Sequence, residues 1–221
     1  MSVSKILFDE KAYAISPNEI SERIISFRQS YGNAIREIIN NSNDLDKDGE
    51  VYIKCASHIL SKFVMTRSDP FHEDCSEKLR MCWDAVGANL KEIINSVRKS
   101  GSPMERYILE ISVEKRIVLI EGIWQITKEL FQFKMGKTTY GLVGASKILF
   151  SVLPEIVLPI DKSEWLHIFK TVDLGDVLLR MVFDIQKWER ITGSQLNDLD
   201  HSKRLTTLPS VYNVMAMHAR Q

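Results

Sequence analysis

Long apolar runs are missing from this 221-residue sequence. A membrane-spanning helix needs about 20 apolar residues, and the best candidate, Ile117–Ile126, is interrupted by Glu121. Residues 1–15 also lack the apolar stretch that a signal peptide requires. The sequence therefore predicts a soluble, cytoplasmic protein that has no membrane partner.

Cysteine is scarce, with only Cys55, Cys75 and Cys82 in the whole chain. An odd set of three argues against the disulfide framework of a small extracellular protein. His58 and His72 lie near these cysteines, but no C-x-x-C pair is present. We therefore predict no zinc site, because the spacing of metal ligands is absent. No cofactor is indicated either.

An excess of charge of one sign is also missing. Lys and Arg together number 29, as do Asp and Glu, so the formal net charge is zero. This balance excludes the strongly basic character of many nucleic-acid-binding proteins. The distribution is uneven, since residues 101–150 carry seven basic and five acidic side chains. A local basic surface is compatible with the sequence, and a global one is not.

Most catalytic motifs are absent, including the G-x-S-x-G elbow and the H-E-x-x-H helix. Gly136-Lys137-Thr138 copies the end of a phosphate-binding P-loop. The glycine that should stand five residues earlier is Phe131, however, and no strand clearly precedes it. We reject a P-loop for this reason.

An acidic segment, Asp44-Leu45-Asp46-Lys47-Asp48-Gly49, resembles the start of an EF-hand calcium loop. Carboxylates at alternate positions converge on one cation in such loops, and glycine permits the sharp turn. The twelfth position, which should be a bidentate glutamate, is Cys55. A hard cation gains little from a thiol, so we interpret the segment as an acidic turn between helices.

The spacing of apolar residues predicts an all-α protein with seven or more helices. Ser16, Pro17 and Glu19 have the pattern of a capping box with proline in the first turn. Ile117–Ile120 is rich in β-branched residues and is compatible with a short strand, although the wider spacing favours a buried helix. The predicted helical segments are 20–39 with an interruption near Gly32, Val51–Thr66, His72–Lys99, 104–133, Leu174–Trp188 and a last helix after Pro209.

Ser100-Gly101-Ser102-Pro103 is the clearest break in the chain, because small residues and proline end helices. We predict a single helical unit that is divisible into two lobes at this point. The first part covers residues 1–100 and the second covers residues 103–221.

The stretch from Met135 to Trp165 has the most chemically suggestive composition. It contains the paired glycines Gly141 and Gly144, Lys147, an apolar run, and Pro159-Ile160-Asp161. This arrangement resembles the helix-hairpin-helix DNA glycosylase superfamily, in which a glycine-containing hairpin precedes a proline-hydrophobic-aspartate segment. Glycines allow backbone N–H groups to approach a DNA phosphate, and the N-terminus of the following helix favours an anion.

The resemblance implies a helix-hairpin-helix-like C-terminal part and a DNA partner. Gly141, Gly144, Lys137 and Lys147 are then the expected contacts to nucleic acid. Asp161 would activate water or stabilise a sugar cation during excision of a flipped base. Lys147 would be the amine that attacks the sugar carbon.

The same residues also have a purely structural interpretation. Gly141 and Gly144 would form a tight turn between helices, Ile148–Leu153 a core helix, and Asp161 the cap of the next helix. The competing functional hypothesis is then a non-enzymatic helical protein that binds a protein partner or a second copy of itself. The sequence leaves open whether the protein is an enzyme.

Overall fold

The computed structural model describes residues 13–27, 29–41, 49–62, 76–98, 105–133, 142–160 and 168–218. The fold is all-α, as predicted: the described residues form nine α-helices and one short 3₁₀ helix, with no strand among them. The α-helices are α1 (Pro17–Ser26), α2 (Gln29–Asn41), α3 (Glu50–Lys62), α4 (Ser76–Val97), α5 (Tyr107–Glu110), α6 (Val113–Phe131), α7 (Leu142–Phe150), α8 (Leu174–Thr192) and α9 (Leu208–His218), and the 3₁₀ helix is Leu196–Leu199.

The capping box at the start of α1 is confirmed. The Glu19 backbone N–H donates to the Ser16 hydroxyl at 3.3 Å, and the Ser16 backbone N–H donates to the Glu19 carboxylate at 2.8 Å. Pro17 occupies the first turn, where its missing N–H has no helical partner to lose. These contacts are local, and a sequence pattern is therefore sufficient to predict them.

The helical segment predicted over residues 20–39 is interrupted, but not near Gly32: it forms two separate helices, α1 and α2. The break comes after Ser26, where Phe27 is extended with φ −69° and ψ 144°. Gly32, the expected point of interruption, lies inside α2. The Phe27 carbonyl accepts a hydrogen bond from the Arg204 guanidinium at 2.8 Å. The residue that binds the chain at this break, Arg204, is thus 177 residues away from Phe27 in the sequence.

Residues 104–133, predicted as one apolar segment, contain the short helix α5 and the long helix α6. The strand considered for Ile117–Ile120 is not observed, since these residues belong to α6. Arg116 on α6 donates to the carbonyls of Ile108, Leu109 and Ile111 at 2.6 to 3.0 Å. Its guanidinium therefore satisfies carbonyl oxygens at the end of α5 that have no helical donor, and burial lowers its pKa.

The core is one continuous cluster of buried side chains that extends from Tyr13 to Ala216 and includes residues of every α-helix. Helix α6 packs against α4, α7 and α8, while α3 packs against α2, α4 and α7. The predicted boundary near residue 100 lies outside the described residues. The helices on its two sides, α4 and α6, pack directly against each other. The division into two lobes stays a prediction.

Helix α7 is the most enclosed element of the fold. All described residues from Gly144 to Ile160 are buried, including the segment that follows the helix. The described part of the stretch that looked most chemical in the sequence, residues 142–160, is thus a central part of the core. Within the described ranges, no helix combines the length and the apolar character that crossing a membrane requires.

Candidate functional site

The segment after α7 folds back onto the helix. Residues 151–156 form turns and residues 157–160 are extended. The Ile160 backbone N–H donates to the Ser146 hydroxyl at 3.2 Å, and that hydroxyl also lies 3.1 Å from the Val143 carbonyl. The residue before Asp161 therefore contacts the residue before Lys147.

Two of the predicted site residues can be located on α7. Gly144 lies in the first turn of the helix and is buried, and Lys147 is only 5% exposed. A DNA phosphate contacts groups on the surface of a protein, so this burial gives Gly144 and Lys147 little access to one. Their assignment as nucleic-acid contacts, and that of Lys147 as nucleophile, stays a prediction.

The other predicted site residues, Lys137, Gly141 and Asp161, lie outside the described residues. The purely structural interpretation of the same stretch can likewise be compared with the structure only in part. The core helix ends at Phe150 rather than Leu153, Pro154 lies in a turn and Pro159 in the extended segment. The cap proposed for Asp161 falls outside the described range.

A buried ion pair fastens the segment after α7 to the end of α4. The Arg98 guanidinium donates to both oxygens of Glu155, at 2.5 and 3.0 Å, and to the Val152 carbonyl at 2.6 Å. Both side chains are 2% exposed. Sequence reasoning missed this pair. The available signal was Glu155 itself, the only charged residue between Ile148 and Ile160.

A second buried carboxylate joins three distant parts of the chain. Asp184 on α8 is 1% exposed and accepts hydrogen bonds from Tyr13 at 2.6 Å and from Tyr212 on α9 at 2.8 Å. Arg180 Nε lies 3.6 Å from the same carboxylate. Burial raises the pKa of Asp184, and these three partners oppose that rise. The carboxylate is enclosed by its partners, so it fits a structural role better than a catalytic one.

A groove of about 360 Å³ lies between α2 and α3. It is lined by Glu37, Ile38, Lys54, Cys55, Ser57 and His58. The Nε2 atom of His58 is 3.9 Å from the Glu37 carboxylate. Burial raises the pKa of the Cys55 thiol to about 11, so this cysteine is protonated and a poor nucleophile at neutral pH. The groove contains acid, base and thiol groups, but it does not activate the thiol.

Metal binding gains no support from the part of the chain that the structure describes. No group of three or more His, Cys, Asp or Glu side chains there is arranged to hold a metal ion. Cys55 and Cys82 are buried free thiols on α3 and α4. Cys75, His72 and the acidic segment Asp44–Asp48 lie outside the described residues.

Helices α6 and α8 pack side by side in opposite directions. A Cβ built on Gly175, at the start of α8, would lie 3.4 Å from Ile120 Cγ2 and 3.5 Å from Trp124 Cβ. At the other end of α8, Glu189 forms an ion pair with Arg106, which precedes α6 in the chain, with an N–O distance of 2.7 Å. The N-terminal end of α6 is therefore next to the C-terminal half of α8.

Large apolar side chains stand exposed along this pair of helices. Val113 and Ile117 continue the stripe of α6 that contains Ile120 and Trp124, because the spacing is four, three and four residues. On α8, Phe183 lies eight residues after Gly175, which is two intervals of four residues. At a rise of about 1.5 Å per residue, Val113 and Phe183 lie at about the same height along the helix pair. We define the α6–α8 surface by four side chains with their exposed fractions: Val113 (59%), Ile117 (41%), Val118 (69%) and Phe183 (61%).

Sequence reasoning missed this surface, since it treated Val113, Ile117 and Val118 as part of a dense apolar segment. The signal was present in α6, where apolar residues occur on more than the one stripe that a half-buried helix needs.

Comparison with protein-family models, characterised proteins and solved structures gives no match to this chain.

Proposed function

We propose that this chain is a non-enzymatic helical protein that binds another protein through the α6–α8 surface. The observation that carries the proposal is the exposure of Val113, Ile117, Val118 and Phe183 along one pair of packed helices. Single exposed apolar residues are common, whereas several on two neighbouring helices favour an interaction site. Aromatic anchors such as Phe183 are also enriched at interfaces.

The burial of the candidate catalytic and phosphate-binding groups supports the same proposal. Lys147 and Gly144 are enclosed in the core, and the formal net charge of the chain is zero. The α2–α3 groove contains a thiol whose raised pKa keeps it protonated. These features favour binding by apolar contact over chemistry in a cleft.

Site-specific photo-crosslinking tests the proposal. A photoreactive residue at Val118 is expected to give a covalent adduct with a protein in cells that express the chain. Ile25 is the matched control, because it is 59% exposed and lies on α1, which packs against α9 and the 3₁₀ helix instead. The adduct at Val118 should disappear when Phe183 is changed to Glu. Equal crosslinking at Val118 and Ile25, or none at Val118, would overturn the proposal.

DNA binding with base excision is the second candidate, and one contact favours it. The hydrogen bond between Ile160 N–H and the Ser146 hydroxyl brings the chain neighbours of Asp161 and Lys147 together. An aspartate and a lysine in one site are the pair that the glycosylase resemblance requires.

Duplex DNA with an abasic site or a damaged base tests this candidate. Binding should fall steeply as salt is raised, because phosphate contacts release counterions. Asp161→Asn should abolish cleavage while binding is retained. If the wild-type protein fails to bind such duplexes at low salt, the DNA candidate is eliminated.

A further inference from the structure

We propose that residues 1–12 of this chain cover part of the α6–α8 surface in the free protein, so that a protein partner must displace them. The inference rests on the function proposed above and adds the regulation of the same surface. Its basis is the point at which the described chain begins. That point is Tyr13, which is bound to α8 at Asp184, the residue next to Phe183.

Three contacts fix the start of the described chain on α8. The Tyr13 hydroxyl donates to the Asp184 carboxylate at 2.6 Å. The Lys187 ammonium lies 4.0 Å from the centre of the Tyr13 ring, and the Trp188 indole N–H donates to the Ile15 carbonyl at 2.9 Å. From residue 15 back to residue 13, the hydrogen-bonding partner on α8 changes from residue 188 to residue 184. The chain that precedes Tyr13 therefore leaves α8 at about the height of residue 184.

Phe183 stands between this anchor and α6. Gly175 faces α6, and Asp184 comes nine residues later, or two and a half turns, so it points to the opposite side of α8. Phe183 is 61% exposed on the outward side of the helix, between these two directions. Val113 lies at about the same height on α6. A chain that runs from Tyr13 towards α6 therefore crosses Phe183 first and Val113 next.

The sequence of residues 1–12 provides the apolar side chains for this contact. Ile6-Leu7-Phe8 is the only run of three large apolar residues before α1. An extended chain spans about 3.3 Å per residue, so Phe8 can lie up to about 16 Å from Tyr13 and Ile6 up to about 23 Å. One helix is about 10 Å across. The run is therefore long enough to pass over α8 and reach the groove between α6 and α8.

Charge and covalent attachment both favour this occupant. Lys5 comes directly before the apolar run, and Glu114 is exposed on α6 beside Val113. The crossing would bring these opposite charges together at its far end. A segment attached through a short linker is also present at an effective concentration of about 1 mM. A contact that is too weak for a separate peptide is therefore sufficient to cover the surface.

Intramolecular photo-crosslinking of the full chain tests the cover. A photoreactive residue replaces Phe8 in the purified protein at about 1 µM, where weak contacts between molecules are rare. Mass spectrometry of the monomer should find adducts with Val113, Ile117 or Phe183. Phe183→Glu should reduce their yield at least about fivefold, because the cover would have to bury a charge. The same photoreactive residue at Ile25 should give no adduct with these three positions.

A variant in the segment tests the regulation. Phe8→Asp should release the cover and raise the fraction of molecules whose surface is free, so the protein adduct at Val118 in cells should increase at least about twofold. Ile25→Asp is the matched control and should leave that yield unchanged, because Ile25 lies on α1 and is already 59% exposed. Circular dichroism should show that both variants are folded.

The outcomes separate this inference from the proposed function. If Val118 captures a protein but residue 8 gives no adduct with α6 or α8, the proposed function stands and the cover is refuted. If residue 8 gives the expected adducts but Val118 captures nothing, the cover is supported and the proposed function is lost. An adduct of residue 8 found only in a crosslinked dimer would identify a second copy as the occupant and overturn the inference. An equal effect of Phe8→Asp and Ile25→Asp would contradict the regulation.

Discussion

Arg98 and Glu155 are fully buried together, so each depends on the other for compensation of its charge. Arg98→Ala should lower the free energy of unfolding by about 3–5 kcal/mol, because Glu155 would remain in the core without a partner. The Val152 carbonyl would also lose its donor. Urea denaturation followed by circular dichroism measures the loss.

An exposed pair supplies the comparison for this prediction. Arg80 and Glu50 are joined at 2.6 Å, but their side chains are 48% and 61% exposed. Arg80→Ala should cost only about 0–1 kcal/mol, because water screens the pair. A combined Arg98→Met and Glu155→Leu variant should recover most of the lost stability. If Arg98→Ala costs no more than Arg80→Ala, the buried pair does not stabilise the fold as described.

Asp184 should make the stability of the protein depend on pH. Burial raises its folded-state pKa above the ordinary value of 3.8. A raised pKa means that the folded state holds the proton more tightly than the unfolded state. The contribution of this group is therefore greatest below pH 3.8 and is lost as pH rises through the folded-state pKa.

Asp184→Asn removes the titrating group and keeps its shape. The stability of the wild type relative to this variant should decrease as pH rises from below 3.8 towards the folded-state pKa. Urea denaturation of both proteins across this pH range gives the difference at each point. A difference that stays constant, or that grows with pH, would show that Asp184 does not have a raised pKa.

At the scale of elements, α2 approaches the loop between the 3₁₀ helix and α9 without space for a side chain. A Cβ on Gly32 would lie 2.1 Å from the Arg204 carbonyl oxygen. The loop cannot easily retreat, since the Asp200 carboxylate accepts the backbone N–H groups of Arg204, Leu205 and Thr206 at 2.8 Å. Gly32→Ala should therefore cost about 1–3 kcal/mol, as overpacking does elsewhere.

Gly122→Ala is the control for this prediction, because Gly122 is also helical. The nearest atom to its added Cβ is Ile93 Cδ1 at 3.3 Å, the end of a flexible side chain. Alanine also favours helix over glycine by up to about 1 kcal/mol. Thermal denaturation should show a lower melting temperature for Gly32→Ala than for the wild type. Gly122→Ala should show no such decrease. Equal melting temperatures would show that α2 and the loop can separate at little cost.

Sequence patterns predict elements that are stabilised locally and miss those that depend on distant contacts. The Ser16–Glu19 capping box was predictable because the residues that form it lie within one helical turn. The helix that begins at Leu174 was predictable because its apolar residues lie on one face. The division between α1 and α2 was not, since Phe27 is bound by Arg204. The apolar run also predicted a core helix at Ile148–Leu153, whereas α7 spans Leu142–Phe150, and the run contains no information that Lys147 would be enclosed in the core.

For the whole molecule, the single core cluster predicts one cooperative unfolding transition. Trp83, Trp124 and Trp188 lie on α4, α6 and α8, so their fluorescence reports on both predicted lobes. Urea denaturation followed by this fluorescence and by circular dichroism should give coincident curves. Variants that retain a single tryptophan assign each signal to its helix. Two separated transitions would instead support independent lobes divided near residue 100.

The all-α class was predictable at this scale, but the location of a binding surface was not. The residue type of an apolar position in α6 does not show whether the side chain faces α4 or solvent. Only the packing of the helices determines which of these it faces. Val118 and Ile120 are two residues apart, yet one is 69% exposed and the other 2%.

Tyr13 and Tyr212 lie near opposite ends of the sequence and hold the two oxygens of one carboxylate, that of Asp184. This arrangement has a mechanical consequence. A force that pulls residues 13 and 212 apart would load these two hydrogen bonds together with the packing of α1 against α9 and the hydrogen bond from the Trp188 indole to the Ile15 carbonyl. The two ends of the described chain are therefore held to α8 and to each other. Stretched from these two points, the molecule should resist until these contacts break together.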